Sequence, residues 1–368
     1  MDIVNFLVTY PLPFVIALGV LVFVHELGHY LVARWCGVKV DVFSIGFGPE
    51  IFGWNDRQGT RWRVAIVPLG GYVKMYGDAN AASTPGDGLD TMSAAERAVS
   101  FHHKTLGQRA AIILAGPAAN FLFAIVAFIF LFVARGQPFT PPQIGSVVPG
   151  GPAAVAGLVS GDVVTAIDGW RVDRFEDLQA QVRAKPGQTV ELDVLRDGRT
   201  VTLQATLRLR EDTDRFGNVH RVGQLGVTGG GAEYRELGPV DATVQAVRET
   251  WNLSVGTLGA IGQMIMGTRG TEEIGGPIRI AQMSGQVAQL GVVAFVWFLA
   301  VLSINLGLIN LFPIPLLDGG HLMFYAIEAV RGRPLGERAQ EYGLRIGLAL
   351  VLTLLVFATW NDLVHGRW

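Results

Sequence analysis

From Ala110 to Ala134 the chain carries no charged residue. A helix needs about 20 mainly apolar residues to cross the hydrocarbon core of a bilayer. Within lipid it must satisfy its own backbone polar groups, which a helix does. Three further runs share this character. Residues 4–24 are apolar and continue in helical phase through His25-Glu26-Leu27-Gly28-His29 to Cys36. Val292 to Phe312 is uncharged, interrupted only by Ser303, Asn305 and Asn310, while Leu344 to Trp360 is shorter and has Arg345 near its start. Charged types make up 16% of the chain, against about a quarter in soluble domains, so lipid is expected as part of the solvent. No Lys or Arg precedes the first run and no small-residue cleavage pattern follows it, so it is read as a retained span rather than a signal peptide.

The loops set the expected orientation. Arg34, Lys39, Arg57, Arg61, Arg63, Lys74, Arg97, Lys104 and Arg109 lie between the first and second runs, and Arg331, Arg333 and Arg338 between the third and fourth. The positive-inside rule puts both loops in the cytoplasm and both termini outside. Between the second and third runs lies an external domain. The net charge of −2 offers no general attraction for nucleic acid, and the single Cys36 excludes an internal disulfide framework.

Residues 38–78 are rich in β-formers. Glu50 to Trp54 and Arg61 to Val67 flank Asn55-Asp56-Arg57-Gln58-Gly59, which predicts a hairpin with an apolar face of Ile51, Phe52, Trp54, Trp62, Val64 and Ile66. Pro68 to Lys74 reads as a second extended segment, and residues 79–95, small and polar, as a mobile loop. In the external region, Ile144 to Val148 reads as a strand, Pro152 to Leu158 as a short helix and Phe175 to Val182 as a second helix. Thr189 to Leu195 and Thr200 to Leu207 read as a hairpin around Asp197-Gly198. Gly157-Leu158-x-x-Gly161-Asp162 followed by Ile167-Asp168-Gly169 resembles the core of a PDZ domain, and Gln224-Leu225-Gly226-Val227 resembles the strand that closes a PDZ groove. Val240 to Met266 has apolar residues at loose helical spacing, as in a surface helix leading into the third run or in an ordinary helix packed on the PDZ-like domain.

The chemistry sits in the first run. Two histidines at i and i+4 share one helix face and can bind the same zinc ion through imidazole nitrogen. Glu26 is placed to take a proton from the water that zinc activates. Ionisable groups that continue an apolar span are expensive in lipid and by default functional. Catalytic zinc usually has three protein ligands, so another segment must supply the third. In Asn310-Leu311-Phe312-Pro313-Ile314-Pro315-Leu316-Leu317-Asp318-Gly319-Gly320-His321 the prolines prevent regular helix, and Asp318 and His321 are both suitable ligands on chemistry alone. His102, His103, His220 and His365 have no ligand partner at useful spacing and read as solvated.

Together the His-Glu-x-x-His motif, the PDZ core and Asn-x-x-Pro-x-Pro-x-x-Asp-Gly-Gly resemble the site-2 protease family, peptidase family M50, and within it the bacterial RseP-type branch. Gly70-Gly71-Tyr72-Val73-Lys74, Gly116-Pro117-Ala118-Ala119-Asn120-Phe121 and Gly275-Gly276-Pro277-Ile278 extend the resemblance over nearly the whole chain. It implies that Asp318 rather than His321 is the third ligand, that Asn310 helps to hold substrate near the metal, and that Gly70, Gly71 and Tyr72 belong to a strand that pairs with substrate. Such pairing has a physical basis. A transmembrane substrate is helical, and an exposed strand edge replaces the hydrogen bonds lost when it unwinds. Asn120 is either a substrate contact or an interhelical hydrogen bond, and Asn305 carries the same two readings. Enteric relatives have two tandem PDZ domains, whereas residues 143–230 have room for one.

The expected fold is a polytopic α-helical membrane protein with four transmembrane helices, a cytoplasmic-side membrane-associated β-hairpin region and one external α+β PDZ domain. Its expected parts are 1–36, the first span with the motif; 37–109, hairpin and loop; 110–134, the second span; and 143–230, the PDZ domain with Leu225, Gly226 and Val227 at its groove. There follow 238–290, an amphipathic region; 292–320, the third span and Pro-x-Pro segment; and 343–362, the fourth span. The resemblance implies one Zn²⁺ per chain and a multi-pass protein of the bacterial inner membrane, with its active site towards the cytoplasm and its termini and PDZ domain in the periplasm. It implies as partners single-span membrane substrates, lipid and a peptide C-terminus at the PDZ domain, and no nucleic acid. A non-catalytic scaffold needs none of His25, Glu26, His29 and Asp318, and a metal transporter would carry ionisable residues along several spans.

Overall fold

The computed structural model describes residues 9–80, 86, 89–213, 219–231, 233–267 and 275–365. They form two compact units. One comprises Met1–Leu131, Thr243–Gly259 and Thr271–Trp368, the other Phe132–Ala242 and Ala260–Gly270.

The first unit opens with helix α1 (Pro11–Trp35), which has proline in its first turn, where no backbone N–H is needed. Strands β1 (Val40–Asn55) and β2 (Arg61–Met75) follow, then a 3₁₀ turn at Leu89–Thr91, α2 (Ala94–Val99) and α3 (Leu106–Arg135). The two strands are longer than the expected hairpin and both are bent. Val42, Phe43, Ser44 and Ile45 each pair on both sides, with Arg61 to Val64 and with Lys74 to Gly71. The segment 71–75 is therefore not a separate element but the outer strand of the same sheet. Left-handed glycines at Gly46 and Gly48 bend β1, and Gly70 does the same for β2 after Pro68. Phe43, Val73 and Met75 bury against Tyr30 and Ala33 of α1 and Ile112 of α3. Ile51, Phe52, Trp54 and Ile66 remain exposed at the far end. Of the expected loop at 79–95, residues 81–85 and 87–88 lie outside the described residues. Its end is structured: Ser93 and Glu96 form a capping box that starts α2.

The second unit holds β3 (Gln137–Phe139), β4 (Ile144–Val147), α4 (Pro152–Val155), β5 (Val163–Ile167), β6 (Trp170–Arg171), α5 (Phe175–Arg183), β7 (Thr189–Arg196) and β8 (Arg199–Thr206). It ends with β9 (Arg208–Thr213), β10 (Val219–Gln224), β11 (Val227–Gly229) and β12 (Glu233–Arg235). A sheet of order β6-β5-β7-β8 packs on α5 through Val164, Ile167, Leu178, Leu192 and Val194, while β11 pairs with β4. Helix α4 is shorter than the expected Pro152 to Leu158, because Gly157 turns left-handed at its end. Asp197 and Gly198 both take positive φ, as a two-residue hairpin turn requires. Asp162 accepts two bonds from Arg196, each 2.7 Å, and one from the Val159 amide.

The remaining helices are α6 (Pro239–Ile265), α7 (Pro277–Gln289), α8 (Val292–Asn310), α9 (Asp318–Arg331) and α10 (Glu337–His365). Among the described residues four helices are long and apolar enough to cross a membrane: Pro11–Trp35, Leu106–Arg135, Val292–Asn310 and Arg338–Val364. Between α8 and α9 the chain unwinds over Pro313 and Pro315, with Leu316 at φ 102°. A methyl group at Gly319 or Gly320 would overlap the carbonyls of Leu311 and Ile314 respectively, so only glycine lets α9 restart this close to α8.

Candidate metal centre

Helix α1 carries His25 and His29 one turn apart, with ring centroids 4.8 Å from each other. Asp318, the first residue of α9, reaches both. Its Oδ2 lies 3.2 Å from His25 Nε2 and its Oδ1 3.5 Å from His29 Nε2. The ligand atoms of all three residues fall within 4.8 Å of one another. His29 Nδ1 donates to the carbonyl of Ile112 at 2.8 Å, so a neutral ring presents a bare lone pair at Nε2. That lone pair faces His25 Nε2 at 3.3 Å and a carboxylate oxygen, and Asp318 Oδ2 is buried with no hydrogen-bond partner. Electron-rich atoms converging without enough protons between them fit a cation at their centre. Two imidazoles and a carboxylate are a donor set for catalytic zinc.

Glu26, buried, lines the same cavity, which has a volume of about 520 Å³. His25, His29, Asp318, Asn310, His321, Gly70, Gly71 and Tyr72 also line it. His321 is thus near the cluster but not one of its members. Gly71 brings the outer strand against α1. A methyl group there would sit 2.6 Å from Val22 Cγ1 and 3.1 Å from Glu26 Cγ. Among the described residues no strand pairs with the outer edge of 71–75.

Asn120 and Asn305 lie outside the cavity lining. Asn120 is fully buried on α3, with its side chain 3.1 Å from His25 Nδ1, and Ser303 of α8 donates to its carbonyl at 2.9 Å. Asn305 accepts from Thr257 of α6 at 3.1 Å. In the second unit, Leu225 is buried and its carbonyl accepts from Ala153, while Gly226 and Val227 edge a groove that Val148, Phe175, Leu178 and Val182 also line.

His102 departs from the expected solvated state. It lies 2.9 Å from Asp78 Oδ1, whose side chain is fully buried, because the chain after α2 folds back over the β2 end. Two contributors went unanticipated. The Ile112 carbonyl is invisible in a side-chain reading. Gly116, whose added methyl group would overlap His29 Nε2, stands out in the sequence only as part of the segment Gly116 to Phe121 that carries the resemblance, with no role attached.

The model of peptidase family M50 matches residues 13–354. A putative zinc metalloprotease of Agrobacterium fabrum is 47% identical over 364 residues, covering 98% of this chain and 97% of that one. Metalloprotease MmpA of Caulobacter vibrioides is 41% identical over 370 residues, 94% of this chain and 93% of its own. Protease RseP of Yersinia pestis is 35% identical over 450 residues, 95% of this chain and 97% of its own. That last alignment is longer than the 368 residues here, so this relative carries inserted residues with no counterpart.

Proposed function

Because this chain belongs to peptidase family M50, the site-2 proteases, we propose that it is a zinc-dependent intramembrane endopeptidase that cuts the transmembrane segment of single-span proteins. The reading rests above all on the convergence of Asp318, at the start of α9, with His25 and His29 of α1, a helix apolar enough to cross a membrane, beside a buried Glu26. The zinc named in its relatives fits the same donor set.

His25, His29 and Asp318 would hold the zinc, which would supply Lewis acidity towards a carbonyl and a water molecule. Glu26 takes the proton of the attacking water and returns it to the leaving amine. The outer edge of 71–75 takes up the substrate backbone as an added strand once its helix has unwound. Asn310, at the end of α8 and on the cavity wall, donates or accepts for the same backbone.

The similarity to RseP supports a substrate class: single-span membrane proteins whose external portion another protease has already removed. Anti-sigma-factor regulators and remnant signal peptides both fit. In this reading the PDZ domain is periplasmic, where it excludes large ectodomains or binds a newly exposed C-terminus, and the metal centre opens towards the cytoplasm of a bacterial inner-membrane protein.

The test compares purified wild-type chain with Glu26→Gln for bound zinc and for cleavage of a tagged transmembrane reporter. Equal zinc with cleavage lost only in the variant supports the proposal. Equal cleavage by both sinks it.

A further inference from the structure

We infer that Asn120 is a positioning residue of the metal centre: its amide oxygen accepts the Nδ1–H of His25 and fixes the ring in the tautomer whose Nε2 lone pair faces Asp318. The inference rests on the reading of His25 as a metal ligand.

His25 Nε2 points at Asp318 Oδ2 and His29 Nε2. A ligating Nε2 has no hydrogen, so the proton of the neutral ring is on Nδ1 and needs an acceptor. Asn120 is the residue at that nitrogen. Its Nδ2 lies 3.1 Å from Nδ1, while its Oδ1 is buried with no partner. A half-turn of the amide exchanges the two atoms and turns a contact between two donors into an N–H···O bond. No competing bond holds the oxygen where it is.

The backbone of Asn120 is anchored independently, by the Ser303 hydroxyl on its carbonyl. Helix α3 would then orient both rings from behind, with the Ile112 carbonyl on His29 and Asn120 on His25. Partners of this kind fix the ring orientation of a ligating histidine and raise its basicity. Asn120 is fully buried and outside the cavity lining.

The test uses the full chain purified in detergent and measures zinc affinity by competition with a chromogenic chelator, together with the thermal midpoint and reporter cleavage. Asn120→Leu keeps the volume and loses the acceptor, and zinc affinity is expected to fall about 10- to 100-fold. Asn120→Asp keeps an acceptor and is expected to restore most of the affinity. Cleavage by the Leu variant should recover towards wild type at saturating zinc. Unchanged zinc affinity with a raised KM in Asn120→Leu overturns the inference in favour of a substrate contact. An equal fall in affinity and thermal midpoint in both variants overturns it in favour of simple packing. If His25→Ala binds zinc as tightly as wild type, the metal-ligand reading fails, and this inference with it.

Discussion

A methyl group on Gly116 would overlap His29 Nε2 and come within 2.9 Å of His25 Cε1. The second apolar helix thus touches the candidate ligands where a glycine removes its side chain. Gly28 makes the reciprocal approach, against the Ala115 carbonyl and the Ala119 methyl. Small residues let two membrane helices close to backbone contact. Gly116→Ala is therefore expected to displace the His29 ring while leaving the helices formed. Misplacement of a reacting group by about 1 Å costs on the order of 100-fold in rate. Cleavage should fall by at least that factor and zinc affinity should drop. A fully active, zinc-replete Gly116→Ala enzyme would contradict this packing.

Gly71→Ala probes the strand edge rather than the metal. The added methyl group meets Val22 Cγ1 at 2.6 Å and the Ser44 carbonyl at 2.7 Å, so the outer strand must lift away from Glu26. Bound zinc should be unchanged. If the edge holds substrate, KM for a transmembrane reporter rises about tenfold, the equivalent of 1.4 kcal/mol of binding. An unchanged KM would argue that substrate does not use this edge.

Much of this arrangement was legible in the sequence, for identifiable reasons. Long uncharged runs have one stable solution in lipid, so the four long apolar helices could be read from composition alone. The i, i+4 spacing of His25 and His29 fixes a shared face on any helix. Sheet register was not legible, because the turn-forming residues at 55–59 explain one reversal. The bends at Gly46, Gly48 and Gly70, which fold the strands into a wider sheet, depend on backbone angles. Helix α7 lies within the stretch 238–290 expected to be amphipathic, but its bounds were not legible, because it is short and buries the small residues Ser284 and Gly285. The capping box Ser93-Ala94-Ala95-Glu96 was a readable signal within a stretch expected to be loop. The partners of Asn120 and Asn305 depend on helix rotation, which apolar periodicity does not fix when every face is apolar.

Acid should loosen the hairpin turn through Asp56. Its carboxylate accepts from the Gln58 and Thr60 amides, the Trp62 indole and the Tyr30 hydroxyl, at 2.8 to 3.1 Å. Burial alone would raise its pKa, but the bonds from Trp62, Thr60, Gln58 and Tyr30 outweigh it and hold the group down at about 2. A depressed carboxyl contributes stability above its unfolded pKa of about 3.9, and the contribution is lost as pH falls towards the folded value. Discounted for solvent screening, the effect is on the order of 1 kcal/mol. Asp56→Asn should lower the thermal midpoint at pH 7, and the gap from wild type should close between about pH 4 and pH 2. A gap that persists at pH 2 would mean the carboxylate charge is not its source.

The first turn of α7 is capped from a distant helix. The N-cap residue of α7, Gly276, has no side chain with which to satisfy the first amides of its helix. Asp362, near the end of α10 and buried, takes that role, accepting from Gly276 N at 2.8 Å, Arg279 N at 3.0 Å and Ile278 N at 3.1 Å. A side chain at 276 would collide with this carboxylate and with the Ala358 carbonyl, so glycine at 276 and aspartate at 362 depend on each other. Loss of an N-cap costs about 0.5–2 kcal/mol, and amides buried without a partner add to it. Asp362→Ala should therefore speed amide hydrogen exchange at 278–282 while exchange in the core of α3 stays as it was. Asp362→Asn, which keeps an acceptor oxygen, should give a smaller change. If exchange at the start of α7 is the same in all three proteins, the amides are held by something other than Asp362.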